Sequence, residues 1–124
     1  MTPVDWAKRP LQKYADFSGR ASRPEYWWFV LAQIVVLLVA MLLDSMLGTD
    51  FGDSGYGFIY MIAALALLLP AIAVGVRRLH DTDRSGWWLL IALVPLIGAI
   101  VLIVFFASEG TSGDNQFGAP PATA

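Results

Sequence analysis

YWWFVLAQIVVLLVAMLL, residues 26–43, runs from Glu25 to Asp44 without one charged side chain. Two further stretches do the same: residues 54–76, between Asp53 and Arg77, and residues 85–108, between Arg84 and Glu109. An α-helix rises about 1.5 Å per residue, so a hydrocarbon core of roughly 30 Å takes about 20 apolar residues. All three stretches reach that length, the first only just. As buried helices of a soluble protein they would leave almost no amphipathic surface for water. The spacing predicts an all-α fold: an integral membrane three-helix bundle with helices over about 26–46, 57–81 and 85–107. The first is no removable signal peptide, because a polar leader precedes it and no small-residue cleavage site follows.

Composition agrees. Of 124 residues, 57% are hydrophobic and 15% charged, against roughly 45–50% and about 25% in an ordinary soluble domain. There is no Cys and a single His, so a disulfide framework, a Cys-ligated metal and a His cluster are excluded. No metal or cofactor is expected. The net charge of −2 hides a segregation of the 8 basic residues. Lys8, Arg9, Lys13, Arg20 and Arg23 precede the first span, and Arg77, Arg78 and Arg84 follow the second. The first connection and the tail have no Lys or Arg. With three crossings all cations share one side, which the positive-inside rule makes the cytoplasm. The C-terminus is then periplasmic. Pro95-Leu96-Ile97-Gly98 marks the other possibility, a re-entrant hairpin that would bring the tail back inside.

The chain divides into a cytoplasmic leader (1–25), a membrane domain (26–107) and a flexible polar tail (108–124). In the leader, Val4, Ala7, Leu11 and Tyr14 fall at helical spacing, with Lys8, Gln12 and Lys13 elsewhere on the wheel. That pattern suggests a short interfacial amphipathic helix with its cations toward anionic lipid. Ser22-Arg23-Pro24-Glu25 has capping-box spacing. Tyr26, Trp27 and Trp28 open the first span and Trp87 and Trp88 the third, as interfacial anchors with an apolar body and a wet N–H or O–H. The Gly-rich connection with Asp44, Asp50 and Asp53 lacks the Lys and preceding strand of a phosphate cradle, and reads as a turn-rich loop. Pro70 frees the carbonyl of Ala66 and Pro95 that of Ile91. Ala71 and Gly75 form a small-xxx-small pair that admits another helix, in this chain or another.

The densest chemistry is Arg77-Arg78-Leu79-His80-Asp81-Thr82-Asp83-Arg84. With Arg20, Arg23 and Glu25 it belongs at one membrane face. The expected polar cluster pairs Arg20 or Arg23 with Asp81 or Asp83, and Glu25 with Arg77 or Arg78, through the planar guanidinium fork. Arg77 and Asp81 also have (i, i+4) spacing. Arg78 has the alternative of snorkelling to lipid phosphates.

Phe17-Ser18-Gly19-Arg20-Ala21-Ser22-Arg23 with Glu25-Tyr26-Trp27 resembles the entry motif of the domain-of-unknown-function 805 family of small bacterial inner-membrane proteins. Arg77-Arg78-Leu79-His80-Asp81 followed by Arg84-Ser85-Gly86-Trp87-Trp88 is similar to its central motif, and Pro95-Leu96-Ile97-Gly98 and Gly110…Gly113…Asn115…Phe117-Gly118 to its remaining landmarks. Where the family carries Asn-Arg-Phe-Gly this chain has Gln116, and Ala119 stands where an acidic residue is expected. The resemblance implies an inner-membrane address and a shared fold, and no catalytic residue.

A non-enzymatic accessory or regulatory protein, presenting the cluster to lipid headgroups, to a membrane protein or to further copies of itself, fits these features best. An oligomeric transport or channel component is the alternative. Less favoured is a lipid- or phosphate-directed enzyme using His80 as acid–base. Nucleic acid is not an expected partner, since cations held against a membrane form no groove-tracking stripe.

Overall fold

The computed structural model describes residues 2–49 and 56–121. Among these residues the elements are, in order, α1 (Pro3–Gln12), α2 (Arg23–Leu47), α3 (Phe58–Asp81), the 3-10 helix η1 (Gly86–Leu93) and α4 (Ile97–Ala107). Among the described residues two helices, α2 with 25 residues and α3 with 24, are long and apolar enough to cross a membrane. At about 1.5 Å per residue each exceeds the roughly 30 Å of hydrocarbon. Most of their large apolar side chains face outward, among them Leu38, Leu42, Ile62 and Leu65.

The third apolar stretch is not one helix. η1 has 8 residues and α4 has 11, so each covers only about half of a hydrocarbon core. Pro95 lacks an N–H and biases the residue before it toward extended backbone. Val94 is extended at φ −90°, ψ 106°, and Leu96 takes a positive φ of 65°. The chain reverses there. A Cβ on Gly98 would lie 1.8 Å from the Ile91 carbonyl oxygen, so the return limb leaves against η1 at a distance only glycine permits. The expected continuous helix over 85–107 is therefore replaced by a hairpin of two short limbs. Both its ends lie at the same end of α3. Gly86 packs on Val76, and the Phe106 and Ser108 carbonyls accept from Arg78. The tail, expected at the end opposite the leader, instead meets Arg20 and Asp81.

Gly75 of the small-xxx-small pair admits the Leu89 side chain of η1, so its close neighbour belongs to this chain. Pro70 is accommodated inside α3, and the Ala66 carbonyl it frees accepts the Tyr14 hydroxyl. Ala66 lies eleven residues before Arg77, about 16 Å along the axis. The leader is thus drawn alongside the bundle. Its helix α1 packs on α2 and α3, burying Trp6 and Pro10 while Val4 and Leu11 of the expected apolar face stay exposed. A capping box starts it: the Thr2 hydroxyl accepts from the Asp5 amide, and the Asp5 carboxylate accepts from the Thr2 amide. The Thr2 amide, with the Thr2 hydroxyl, holds the Asp5 carboxyl below its ordinary value.

At the other end of the bundle α3 has no side-chain cap of its own, since Gly57 is its N-cap. Asp44, the expected loop carboxylate, does that work from α2. Its oxygens accept from the Ile59 and Tyr60 amides, both at 2.9 Å, and from the Thr49 hydroxyl. Asp44 is fully buried, and its negative charge sits at the positive pole of the α3 dipole. Asp50 and Asp53 lie outside the described residues.

Asp44→Ala frees two α3 amides, and we expect a loss of about 1–2 kcal/mol in unfolding experiments in mild detergent. Asp5 works the other way with acid. Its depressed carboxyl stabilises α1 fully above the ordinary value of 3.8, and that contribution disappears as pH falls through the folded-state value. Amide exchange at Asp5 and Trp6 should rise in that window.

Candidate functional site

Each residue of the expected cluster is brought in by a different local cause. Ser22, extended at φ −77°, ψ 165°, accepts from the Glu25 amide at 3.4 Å and starts α2, with Pro24 in its first turn. Glu25 does not complete the capping box, because its carboxylate meets Arg77. A buried charge-assisted bond outweighs a neutral one to its own helix. Ala21 donates its amide to the Arg77 carbonyl at 2.9 Å, which joins the leader to the last turns of α3.

Three arginines and two carboxylates then share a buried site: Arg20, Arg77, Arg78, Glu25 and Asp81. Arg20 meets Asp81 at 3.0 Å, and Arg78 meets the other Asp81 oxygen at 2.6 Å. Asp81 therefore pairs with Arg78 at (i, i+3), while Arg77 turns away to Glu25 and to the Asp16 carbonyl at 3.1 Å. Arg78 does not snorkel. Its Nε donates to the Phe106 carbonyl at 2.9 Å, and its Nη atoms reach the Ala21 and Ser108 carbonyls as well as Asp81. Arg20 engages its whole fork. Beyond Asp81 it donates to the carbonyls of Gly113 at 2.7 Å, Gly118 at 3.2 Å and Thr111. Nη2 of Arg77 is buried without a hydrogen-bond partner among the described residues.

The tail, expected to be a flexible polar segment, is held against this site. It is latched. Thr111 donates its amide to the Asp81 carbonyl at 2.7 Å, and Asn115 donates its side-chain amide to the His80 carbonyl at 2.8 Å. Asn115 and Gly118 exchange backbone hydrogen bonds in a tight turn that needs a φ of 118° at Gly118. That turn lays the Phe117 ring flat on His80, 4.0 Å between centroids. A Cβ on Gly110 would stand 2.0 Å from the Asp81 carboxylate. Glycines and an Asn are equally at home in a flexible polar segment, so composition alone carried no signal of the latch.

His80 is held from both sides. Its Nδ1 lies 2.8 Å from the Gly19 carbonyl, and a carbonyl only accepts, so Nδ1 carries the proton. The remaining members sit at the rim. Arg23 and Asp83 are exposed, and the Arg84 guanidinium lies 4.0 Å above the Phe105 ring. Asp83, at φ 62°, receives the Gln116 amide at 3.4 Å. The Arg expected from the family pattern would stand at Gln116, beside this carboxylate. The aromatic anchors gather at the same end. Tyr26 packs on Phe106, Trp27 donates its indole N–H to the Phe106 carbonyl at 3.3 Å, and Trp88 meets Phe105 edge to face. Trp28 and Trp87 project outward. Among the described residues no group of His, Cys, Asp or Glu is arranged to hold a metal.

The family model described as "Protein of unknown function (DUF805)" matches residues 14–119. Inner membrane protein YhaH of Escherichia coli K12 is 47% identical over 118 residues, covering 95% of this chain and 97% of the relative. Inner membrane protein YhaI of the same organism is 44% identical over 118 residues, covering 95% and 96%. The uncharacterized protein YiiR is 28% identical over 128 residues, covering 83% and 84%. No solved structure matches the chain.

Asp81→Asn takes the carboxylate from two buried arginines, and we expect a loss of about 3–5 kcal/mol. Cleavage of the tail by added protease should quicken in parallel. Gln116→Arg should add no more than about 1 kcal/mol, because Asp83 is exposed; unfolding midpoints of the two variants measure both.

Proposed function

The chain belongs to the DUF805 family of proteins of unknown function, and we propose that it is a small bacterial inner-membrane protein without catalytic activity, an accessory or regulatory component. Its working surface is the latched end of the bundle. One observation carries this reading: the fork of Arg20 is engaged entirely by Asp81 and by tail carbonyls. Arg78 is likewise taken up within the chain. Arginines bound in this way hold a structure together and are not available to clamp an anionic substrate. Among the groups that remain outward are Arg23, Asp83 and the Trp28 and Trp87 rings, with Arg84 partly exposed over Phe105, a mixed charged and aromatic rim suited to a membrane protein partner.

For topology we propose two crossings, by α2 and α3, with the η1–α4 hairpin entering the bilayer and returning. Arg20, Arg23, Arg77, Arg78 and Arg84 share the latched end, and the positive-inside rule puts such an end in the cytoplasm. Leader and tail are then both cytoplasmic. The exposed Val4 and Leu11 of α1 rest on lipid.

A fluorescent protein fused to the tail should be bright, and alkaline phosphatase fused at the same place should be inactive; the reverse pattern restores three crossings. For the accessory role, cross-linked partners recovered from native membranes should be lost from Arg23→Glu/Arg84→Glu. An unchanged set of partners counts against it.

A further inference from the structure

Between α3 and the hairpin lies a cavity of about 810 Å³, walled by Ala71, Gly75, Leu89, Ala92 and Phe106 among others, with His80 on its wall at the latched end. The volume lies within the roughly 300–1,000 Å³ typical of ligand sites. From His80 to Ala71 is nine residues of α3, about 14 Å along the axis. The cavity therefore runs from the latched end of the bundle down to the level of Ala71 and Ala92. It is apolar almost throughout. Two titratable side chains line it, Tyr26 and His80, and His80 is the more buried, only 9% exposed.

The ring's chemistry is set by its neighbours. Nδ1 donates to the Gly19 carbonyl, and Phe117 covers one face. In the neutral ring Nε2 is then an acceptor, and it has no partner among the described residues. An acceptor on an apolar wall loses its hydration once a hydrocarbon occupant displaces water, and that costs free energy until a donor is supplied. An occupant that satisfies this site has two parts: a hydrocarbon chain for the depth and a headgroup N–H or O–H for Nε2. A leaflet lipid is built with that polarity, head at the interface and chain toward the midplane.

We propose that the cavity binds one membrane glycerophospholipid, an acyl chain between α3 and the hairpin and a donor headgroup on His80 Nε2. This assignment extends beyond an accessory role and holds whichever face of the membrane the latched end occupies. The donor requirement separates headgroups of equal net charge. The ammonium of phosphatidylethanolamine can donate, and the trimethylated head of phosphatidylcholine cannot.

The test uses the full chain in nanodiscs of phosphatidylethanolamine and phosphatidylcholine with identical chains, followed by gentle release and native mass spectrometry. The wild type should keep one lipid per chain, with phosphatidylethanolamine favoured by roughly 2- to 10-fold, the reach of one hydrogen bond. Ala71→Phe, which fills the depth without touching His80, should lose both lipids. His80→Phe keeps a ring against Phe117 but removes the acceptor, and should retain a lipid with no headgroup preference. Equal retention of the two lipids by the wild type overturns the proposal, and so does undiminished retention by Ala71→Phe. Should His80→Phe fail to fold, the wild-type preference and Ala71→Phe decide the matter alone.

Discussion

Three buried guanidinium groups share one end of a narrow bundle with only two buried carboxylates. That imbalance constrains everything around it. A buried cation without acceptors is far too costly to keep, and ion pairs alone leave one positive charge in excess here. The difference is made up by backbone carbonyls. Arg78 takes the Phe106 carbonyl at the end of α4, where the helix dipole is negative, and Arg20 takes carbonyls from the tail. The arginines thus require the last helix to end where they are. A third span that left through the opposite face would carry those acceptors away.

Pro70 and Pro95 serve this arrangement in different ways. Pro70 stays within α3, and its orphaned Ala66 carbonyl is satisfied by Tyr14, which ties the leader to the bundle. Pro95 ends η1 outright, and with Leu96 at positive φ and Gly98 against the Ile91 carbonyl it turns the chain back. Context decides between the outcomes. An orphan carbonyl with a hydroxyl at hand permits continuation, whereas a proline followed by a glycine that can take the close approach permits reversal. The hairpin's return creates the cavity beside α3 and brings the tail onto His80.

Much of this was legible in the residues. The charge-free runs marked α2 and α3, and the pairing partners of Arg20 and Glu25 follow from placing two motifs at one face. The cap on α3 was not legible, because Asp44 precedes its target amides by fifteen and sixteen residues and resembled an ordinary loop acid. Nor was the latch. Gly110 and Gly118 stand in a tail expected to be flexible, yet each is a glycine because the tail approaches Asp81 or turns at positive φ. Trp6 and Pro10, and not Val4 and Leu11, form the packed side of α1, a choice made by neighbours that a helical wheel does not include.

By itself, the sequence determined that the chain is helical, that α2 and α3 are apolar and long enough to cross a membrane, and that its cations are segregated. These are properties of local composition and period, and they need no knowledge of neighbours. Only the tertiary structure decided that the third stretch turns back, that the tail closes over the arginines, and that a cavity opens beside His80. Those outcomes depend on which buried donors find acceptors, and that balance exists only once segments far apart in the chain have been brought together.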